Sequence, residues 1–132
     1  GDPETQPIMM RLKSNLAQLC ISATQGTLDL VNAEWDNRTA LGVVMVASGY
    51  PDSYKKGEII NLPLEEADSK IFHAGTKLDA GSIKSNGGRV LCATALGGSI
   101  KEAQEKAYQL TNSVGWNGSY FRTDIGFKGI EC

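Results

Sequence analysis

Residues 70–96 read KIFHAGTKLDAGSIKSNGGRVLCATAL, a run of short apolar stretches separated by glycine-rich turns. The stretch from Lys70 to Leu78 alternates apolar side chains with polar or small ones, which is the two-residue period of a β-strand. The sequences at 79–81 (DAG) and 86–88 (NGG) are typical of tight turns between antiparallel strands. The segment therefore predicts an antiparallel β-meander.

The regions outside this meander add helices and further strands. Residues 40–47 (ALGVVMVA) are apolar and rich in valine, which predicts a buried central strand, and residues 58–60 (EII) predict a short strand. Apolar side chains recur every three or four positions from Pro7 to Thr24 and again after Ser99, where Glu102 completes a capping box. The whole pattern indicates an α+β fold, an antiparallel meander with flanking helices.

Length and charge exclude several classes of protein. The 132 residues suffice for one domain, and no apolar run approaches the ~18 residues that a membrane helix needs. With 13 Lys+Arg against 15 Asp+Glu, the net charge of −2 gives no general attraction for polyanions. We therefore expect neither nucleic acid nor a membrane as a partner.

The cysteines and the first residues bear on location and completeness. Cys20, Cys92 and Cys132 form no CxxC pair, and the single histidine, His73, does not complete a zinc site with them. Reduced thiols in the cytoplasm are the simplest interpretation. Because the chain starts abruptly at Gly1 without a Met, we expect a fragment of a longer protein.

Arg89, directly after Gly87 and Gly88, is a candidate for binding an anion. Two glycines permit positive φ angles that turn backbone amides toward one anion, and a guanidinium makes bidentate contacts with phosphate. The alternative is an ordinary hairpin turn in which Arg89 is solvated. Lys77 is a second candidate for a phosphate contact, whereas His73 on the same strand face is expected to be a structural, hydrogen-bonded residue.

Asp2, Glu4 and Thr5 lie just before the first predicted helix. Their side chains are candidates for acid–base chemistry or for ligand binding. Carboxylates at this position more commonly interact with the dipole of the helix that follows. From the residues alone, this structural interpretation is the more usual one.

Several motifs together carry a resemblance to a known family. They are GDPETQ at 1–6, GYP at 49–51, FHAGT at 72–76, NGGRVL at 86–91 and RTDIG at 122–126. In the same order, these motifs resemble the C-terminal region of the glycinamide ribonucleotide synthetases, also called phosphoribosylamine–glycine ligases. The resemblance covers nearly the whole chain.

The resemblance implies an ATP-grasp ligase of purine biosynthesis, in which ATP and magnesium convert the glycine carboxylate into an acyl phosphate. The amine of 5-phosphoribosylamine then attacks this intermediate. Residues 1–26 are expected to be the end of the ATP-grasp domain and residues 27–132 the C-terminal antiparallel sheet domain.

The same resemblance implies which residues bind the substrates, glycine and 5-phosphoribosylamine. These residues are Asp2, Pro3, Glu4, Thr5, Gly87, Gly88 and Arg89. Lys77, a candidate from the residues alone, joins them, and Arg89 and Lys77 are expected to contact the 5-phosphate. No catalytic residue is expected in this chain, and the magnesium ligands are expected upstream of Gly1. The chain alone is therefore expected to be inactive; its oligomeric state stays open.

Two other classes of function compete with this interpretation. Small antiparallel sheets also present biotinyl or lipoyl groups on a lysine at a hairpin tip, and Lys84 near the NGG turn is the one candidate. Its neighbours are Ile83 and Ser85 rather than the methionines usual in such carriers. A small interaction module without catalysis is the other alternative, and no specific motif favours it.

Overall fold

A four-stranded antiparallel sheet forms the centre of the computed structural model, which describes residues 1–64 and 66–131. The strands are β1 (Thr39–Ala47), β2 (Ser69–His73), β3 (Thr76–Asp79), β4 (Ser82–Ser85), β5 (Arg89–Gly97) and β6 (Ser119–Tyr120). The helices are α1 (Thr5–Arg11), α2 (Leu16–Thr24), α3 (Ile100–Ser113) and α4 (Phe127–Ile130), with a 3-10 turn at Leu28–Leu30. The central sheet has the order β2-β5-β1-β6, and β3 and β4 form a separate two-stranded sheet. The predicted α+β class and antiparallel pairing are confirmed.

The central strands are covered on both faces. Helix α3 packs against β1 and β5 on one face, and α1 packs against the same two strands. Along β1, Leu41, Val43 and Met45 are buried, and the residues between them are half-buried. The prediction of a buried central strand at 40–47 is therefore confirmed. Strand β5 is a second buried central strand, because nearly its whole length is buried.

The core lies between α3 and the central sheet. Its largest fully buried side chains include Met45, Leu91, Val43 and Val90. Helix α3 contributes a strip of small and apolar residues, of which Ala103 and Ala107 are completely buried. Small side chains on this strip let the helix approach the sheet closely.

The predicted N-cap at Ser99 is confirmed, whereas the Glu102 half of the predicted capping box bonds a different amide. The Ser99 Oγ atom accepts a hydrogen bond from the backbone N–H of Glu102 at 3.2 Å. The Glu102 carboxylate in turn accepts one from the backbone N–H of Gly98 at 2.8 Å. The first bond satisfies an amide that the helix start leaves without a partner. The second bond goes to the residue before the N-cap, and not to the Ser99 N–H that a complete capping box would use.

The single helix predicted from Pro7 to Thr24 is wrong, because the chain forms two helices with a break after Arg11. In the break, the backbone bonds to the segment 34–36 rather than to the next helical turn. The Arg11 carbonyl accepts from the Asp36 N–H at 2.7 Å, and the Lys13 N–H donates to the Glu34 carbonyl at 2.9 Å. Asn15 then starts α2, where its side chain accepts a hydrogen bond from the Gln18 N–H.

The predicted meander is also corrected. The strand expected over 70–78 divides into β2 and β3, which belong to different sheets. The turn at 79–81 does join antiparallel neighbours, β3 and β4. Residues 86–88 do not close a hairpin, since β4 and β5 lie in different sheets and this segment connects them. The short strand expected at 58–60 is reduced to one isolated bridge, between Ile59 and Lys84.

An ion-pair network, defined here as Asp36, Arg38, Asp68, Glu102 and Lys106, joins the start of β1 to α3. Arg38 contacts Asp36 at 2.8 Å and Asp68 at 2.7 Å. Lys106 contacts Glu102 at 2.9 Å and Asp68 at 3.8 Å. Hydrogen bonds from Arg38 hold the pKa of both aspartates below its usual range.

Among the described residues, no helix combines the length and the apolar character needed to cross a bilayer.

Helix α1 packs on the central sheet, whereas α2 buries only Ser22 of its nine residues. The domain boundary at residue 26 stays a prediction.

Candidate functional site

Arg89 and Asp2 lie far apart in sequence and come into contact in the fold. The Arg89 Nη2 atom lies 3.0 Å from the Asp2 Oδ2 atom. Arg89 begins β5, and Asp2 precedes α1, which packs on β1 and β5. The packing of α1 on the sheet therefore brings two of the predicted substrate residues together.

A β-bulge directs Arg89 toward α1. The β1–β5 register shifts between Met45 and Val46, so that Val46 faces Arg89 and not Val90. Residues opposite each other on antiparallel strands share a face, and one inserted residue reverses the faces beyond it. Val90 consequently enters the core with Met45. The Arg89 side chain stays on the other face of the sheet and is one-third exposed.

Gln6 holds the other oxygen of the Asp2 carboxylate. Its Nε2 atom donates to Asp2 Oδ1 at 3.1 Å from one helical turn away. The carboxylate is thus fixed between an amide and a guanidinium. Within the described part of the chain, the buried Arg89 Nε and Gln6 Oε1 atoms have no hydrogen-bond partner. Arg89 therefore retains donor capacity beyond its ion pair.

A cavity of about 360 Å³ opens beside Arg89. We call it the Arg89 pocket. Its lining is mostly apolar and includes two arginines and two tyrosines. It is lined by Pro3, Gly42, Val44, Val46, Tyr50, Arg89, Tyr120, Phe121, Arg122 and Ile125. An apolar cavity with a few polar groups on it is typical of a small-molecule site.

The segment 122–125 contributes Arg122 to the pocket and is tied to α3. The Tyr108 hydroxyl donates to the Arg122 carbonyl at 2.7 Å and accepts from the Ile125 N–H at 2.9 Å. Gln104 Nε2 donates to the Ile125 carbonyl at 2.7 Å. The Arg122 guanidinium is paired with Asp124 through Nε at 2.8 Å and Nη2 at 2.6 Å. This pairing raises the pKa of Arg122 and lowers that of Asp124.

Gly87 and Gly88 serve close packing, and the prediction of positive φ angles at these two residues is wrong. A Cβ atom on Gly87 would lie 2.9 Å from the Gly75 Cα atom. A Cβ atom on Gly88 would lie 2.3 Å from the ring of Tyr50, which lines the pocket. The two glycines therefore let the backbone pack closely against Gly75 and the Tyr50 ring just before Arg89. They do not form an anion-binding loop of their own.

Lys77 is separated from Arg89 in the fold. It lies on β3 in the two-stranded sheet, pairs with Asp79 at 3.8 Å and does not line the Arg89 pocket. The predicted meander would have placed Lys77 and Arg89 in one sheet, which is wrong because β3 pairs with β4 and β5 belongs to the central sheet. Its predicted contact with substrate stays a prediction. The neighbouring His73 bonds Thr76 Oγ1 through Nδ1 at 3.0 Å, in line with a structural role.

The remaining predicted residues border the start of α1. Pro3 lines the pocket and follows Asp2 through a cis peptide bond. Glu4 is exposed at the N-cap of α1 and makes no side-chain cap bond. The Thr5 hydroxyl bonds the carbonyl of Gly1. The structure therefore brings Asp2 and Pro3 to Arg89, and places Glu4 and Thr5 at the adjacent helix start.

Sequence reasoning assigned no role to Gln6, Tyr50, Tyr120 or Arg122. Gln6, Tyr50 and Arg122 do lie inside three of the quoted motifs, GDPETQ, GYP and RTDIG, which were a usable signal. Cys92 lies near Asp2 and Arg89, where burial raises the pKa of its thiol. A buried thiol of this kind is unreactive.

The described residues do not form a metal site. Across residues 1–64 and 66–131, no three His, Cys, Asp or Glu side chains group as ligands of one ion. Lys84, the carrier candidate, donates to Asp79 Oδ2 at 2.9 Å from within β4 and is three-quarters buried. It is therefore not the free lysine at a hairpin tip that a carrier requires.

Comparison with known proteins assigns the class of this α+β domain. Residues 40–128 match the family described as "Phosphoribosylglycinamide synthetase, C domain". The chain belongs to this family.

Individual relatives agree with the family match. Over 99% of this chain, 58% of residues are identical to a phosphoribosylamine–glycine ligase of Salmonella typhimurium, and over 98%, 55% are identical to one of Vibrio cholerae. The crystal structure of a phosphoribosylamine–glycine ligase from Thermotoga maritima superposes on 95% of the chain with a TM-score of 0.75 and 35% identity. The chain spans about 31% of the length of each of these proteins.

Proposed function

We propose that this chain is the C-terminal part of a phosphoribosylamine–glycine ligase, with the C domain following the end of the ATP-grasp domain. The enzyme would join glycine to 5-phosphoribosylamine in purine biosynthesis, in the cytoplasm, with cleavage of ATP to ADP and phosphate. The observation that carries the proposal is the 58% identity with a protein of that name over 99% of the chain. The carrier and the stand-alone interaction module find no support in the family match.

The Arg89 pocket supports a substrate-binding role for this domain. The Arg89 guanidinium contacts Asp2 through Nη2, and its remaining terminal N–H groups are proposed as donors to the 5-phosphate of phosphoribosylamine. Pro3, Val44 and Val46, which line the pocket, would contact the less polar parts of the substrate. Because Asp2 offsets the charge of Arg89, binding would depend on directed hydrogen bonds more than on net charge.

Glu4, Thr5, Gly87 and Gly88 extend the proposed substrate surface. Glu4 and Thr5 lie at the start of α1 next to Asp2, and Gly88 lies under Tyr50. We assign them orientation of the substrate and no proton transfer. Lys77 is kept only as a sequence prediction, since it lies on β3 in the separate two-stranded sheet, and its role is tested separately.

ATP and magnesium are proposed for the whole ligase and not for this chain. When bound, the magnesium–ATP complex supplies the phosphoryl group that activates the glycine carboxylate. The described residues do not fit a magnesium site, since their acidic side chains form no ligand group. We therefore place the nucleotide and metal sites in the part of the ligase outside residues 1–132.

The segment 1–26 fits the end of the ATP-grasp domain. Helix α2 leaves Leu16 and Ile21 about half exposed. These apolar side chains lack cover within the described residues. Packing against the rest of the ligase would remove them from water.

The test is ADP release by the full-length ligase that carries this chain. We expect turnover that requires ATP, glycine and phosphoribosylamine together, and none from residues 1–132 alone. A full-length protein that is folded and binds ATP but shows no glycine-dependent ADP release would contradict the proposed function. Glycine-dependent turnover by residues 1–132 alone would contradict the assignment of the nucleotide site to the rest of the protein.

A further inference from the structure

We propose that Arg122 is a second substrate-binding residue of the Arg89 pocket and that Tyr108 is its positioning residue. The inference rests on the proposed function, because it concerns the phosphate of the same substrate. Arg89 and Arg122 are the two cationic side chains that line the pocket. They come from different parts of the fold, one from the start of β5 and the other from the segment after β6.

The backbone that carries Arg122 is hydrogen-bonded to two side chains of α3. One hydroxyl, that of Tyr108, bonds the carbonyl of Arg122 and the N–H of Ile125. Gln104 bonds the Ile125 carbonyl from the preceding turn of the same helix. A cation on such a segment needs little ordering when a ligand binds, which favours affinity.

Asp124 orients the guanidinium and leaves part of it free. The bidentate pair uses Nε and Nη2 of Arg122. Among the described contacts, Nη1 has none and remains a donor for a ligand in the pocket. The Arg122 side chain is 65% exposed, so a ligand can approach it.

The chemistry of phosphate favours two guanidinium groups over one. A phosphate monoester presents three acceptor oxygens, and planar guanidinium forks match pairs of them. Since Asp2 and Asp124 offset the charges of the two arginines, each arginine contributes directed donors with little net charge. Arg89 and Arg122 together supply enough donors for all three oxygens.

The experiment measures steady-state kinetics of the full-length ligase with each substrate varied in turn. We expect Arg122→Ala to raise the KM for phosphoribosylamine about tenfold or more, a typical effect of losing a charge-assisted hydrogen bond. The KM values for glycine and ATP should stay within about twofold. Arg122→Lys keeps the charge and loses the fork, so its effect should be intermediate.

Tyr108→Phe tests the positioning role separately. The variant removes the hydroxyl and keeps the ring, which packs at a centroid distance of 6.2 Å from Phe121. We expect a rise of several-fold in the KM for phosphoribosylamine with little change in kcat.

Millimolar guanidinium ion should partly rescue Arg122→Ala and should not rescue Tyr108→Phe. Lys128→Ala, which removes an exposed cation of α4 outside the pocket, is the matched control.

The outcomes separate the inference from the proposed function. If Arg89→Ala raises the KM for phosphoribosylamine while Arg122→Ala behaves like Lys128→Ala, the role of Arg122 is overturned and the proposed function stands. Equal effects of Arg122→Ala on all three substrates, without rescue, would indicate a structural role and also overturn it. If Arg122→Ala fails to fold, Arg122→Lys and Tyr108→Phe decide: unchanged KM values for phosphoribosylamine in both reject the inference. Loss of glycine-dependent turnover in the unmodified ligase would count against the proposed function itself.

Discussion

The backbones of Gly75 and Gly87 pass so close to each other that a Cβ atom on Gly75 would lie 2.7 Å from the Gly87 Cα atom. The same Cβ atom would lie 2.5 Å from the carbonyl oxygen of Arg89. That carbonyl accepts a hydrogen bond from the Gly75 N–H at 2.9 Å. The crossing therefore fixes the backbone from which the Arg89 side chain extends.

Gly75→Ala should destabilise the protein by about 1–3 kcal/mol, the usual cost of inserting a methyl group where the surroundings cannot move. The atoms in its way belong to backbone and not to a flexible side chain. Urea denaturation measures the change. Gly115→Ala is the control, since its Cβ would meet no atom within 4 Å. Equal midpoints for the two variants would show that the crossing is not tight.

Arg89→Ala in the full-length ligase should weaken binding of phosphoribosylamine by about one to two orders of magnitude. The estimate corresponds to about 1.5–3 kcal/mol for a hydrogen bond to a charged group. The affinities for ATP and glycine should barely change, and part of the loss can appear in kcat. An unchanged KM and kcat/KM for phosphoribosylamine would make Arg89 a structural partner of Asp2 only.

Lys77→Ala tests whether Lys77 contacts the substrate phosphate, as the sequence predicts, or has no role in binding, as its position outside the pocket indicates. If Lys77 binds phosphate, its loss should resemble that of Arg89. If Lys77 on β3 is too far from the pocket to contact the substrate, the KM for phosphoribosylamine should stay within about twofold of that of the unmodified ligase. The structure favours the second result, because Lys77 faces Asp79 and lies outside the Arg89 pocket. Kinetics of the two variants side by side give the answer.

Ser99→Ala should cost about 1 kcal/mol of stability by leaving the N–H of Glu102 without its cap. Ser99→Gly should cost only a few tenths of a kcal/mol, since glycine is well tolerated at this position. Thermal unfolding should show a drop of about 4 °C for the alanine variant. A drop of the same size in both variants would point to a cause other than the side-chain cap.

Acid should weaken the ion-pair network through Asp36. Arg38 holds the pKa of this carboxyl below its usual range, so its contribution to stability is present above about pH 3.9. That contribution is lost as the pH falls from this value through the lower pKa that Asp36 has in the folded protein. Asp36→Asn should therefore be less stable at neutral pH and lose less stability between about pH 4 and 2. Denaturation across this range tests it, with Asp29→Asn as a control for the loss of one exposed carboxylate.

Local patterns predicted the elements that local interactions determine. The Ser99 and Glu102 cap, the strand at 40–47 and the turn at 79–81 each depend on side chains within a few positions. The break after Arg11 was missed because its backbone bonds go to residues 34–36. The apolar spacing continued across the break, although Asn15 carried a recognisable N-cap signal.

The site was only partly predictable for a similar reason. Family motifs indicated Asp2 and Arg89, but no pattern indicated that they touch each other. The bulge between Met45 and Val46 decides which way Arg89 faces, and it leaves no mark in the composition of β5. Lys77 was grouped with Arg89 because the turn at 86–88 has the composition of a hairpin. The crossing of Gly75 and Gly87 places that turn between two sheets instead.

The contact between Asp2 and Arg89 also bears on the order in which the protein folds. It closes a loop that runs from the second residue to the start of β5, and the entropy of closing so long a loop must be offset by packing formed elsewhere. The sheet and α3 can form without it, whereas the pocket cannot. We expect the pocket to be among the last features to form and the first to open, so that a bound substrate would slow proteolysis at the N-terminal segment more than in the core.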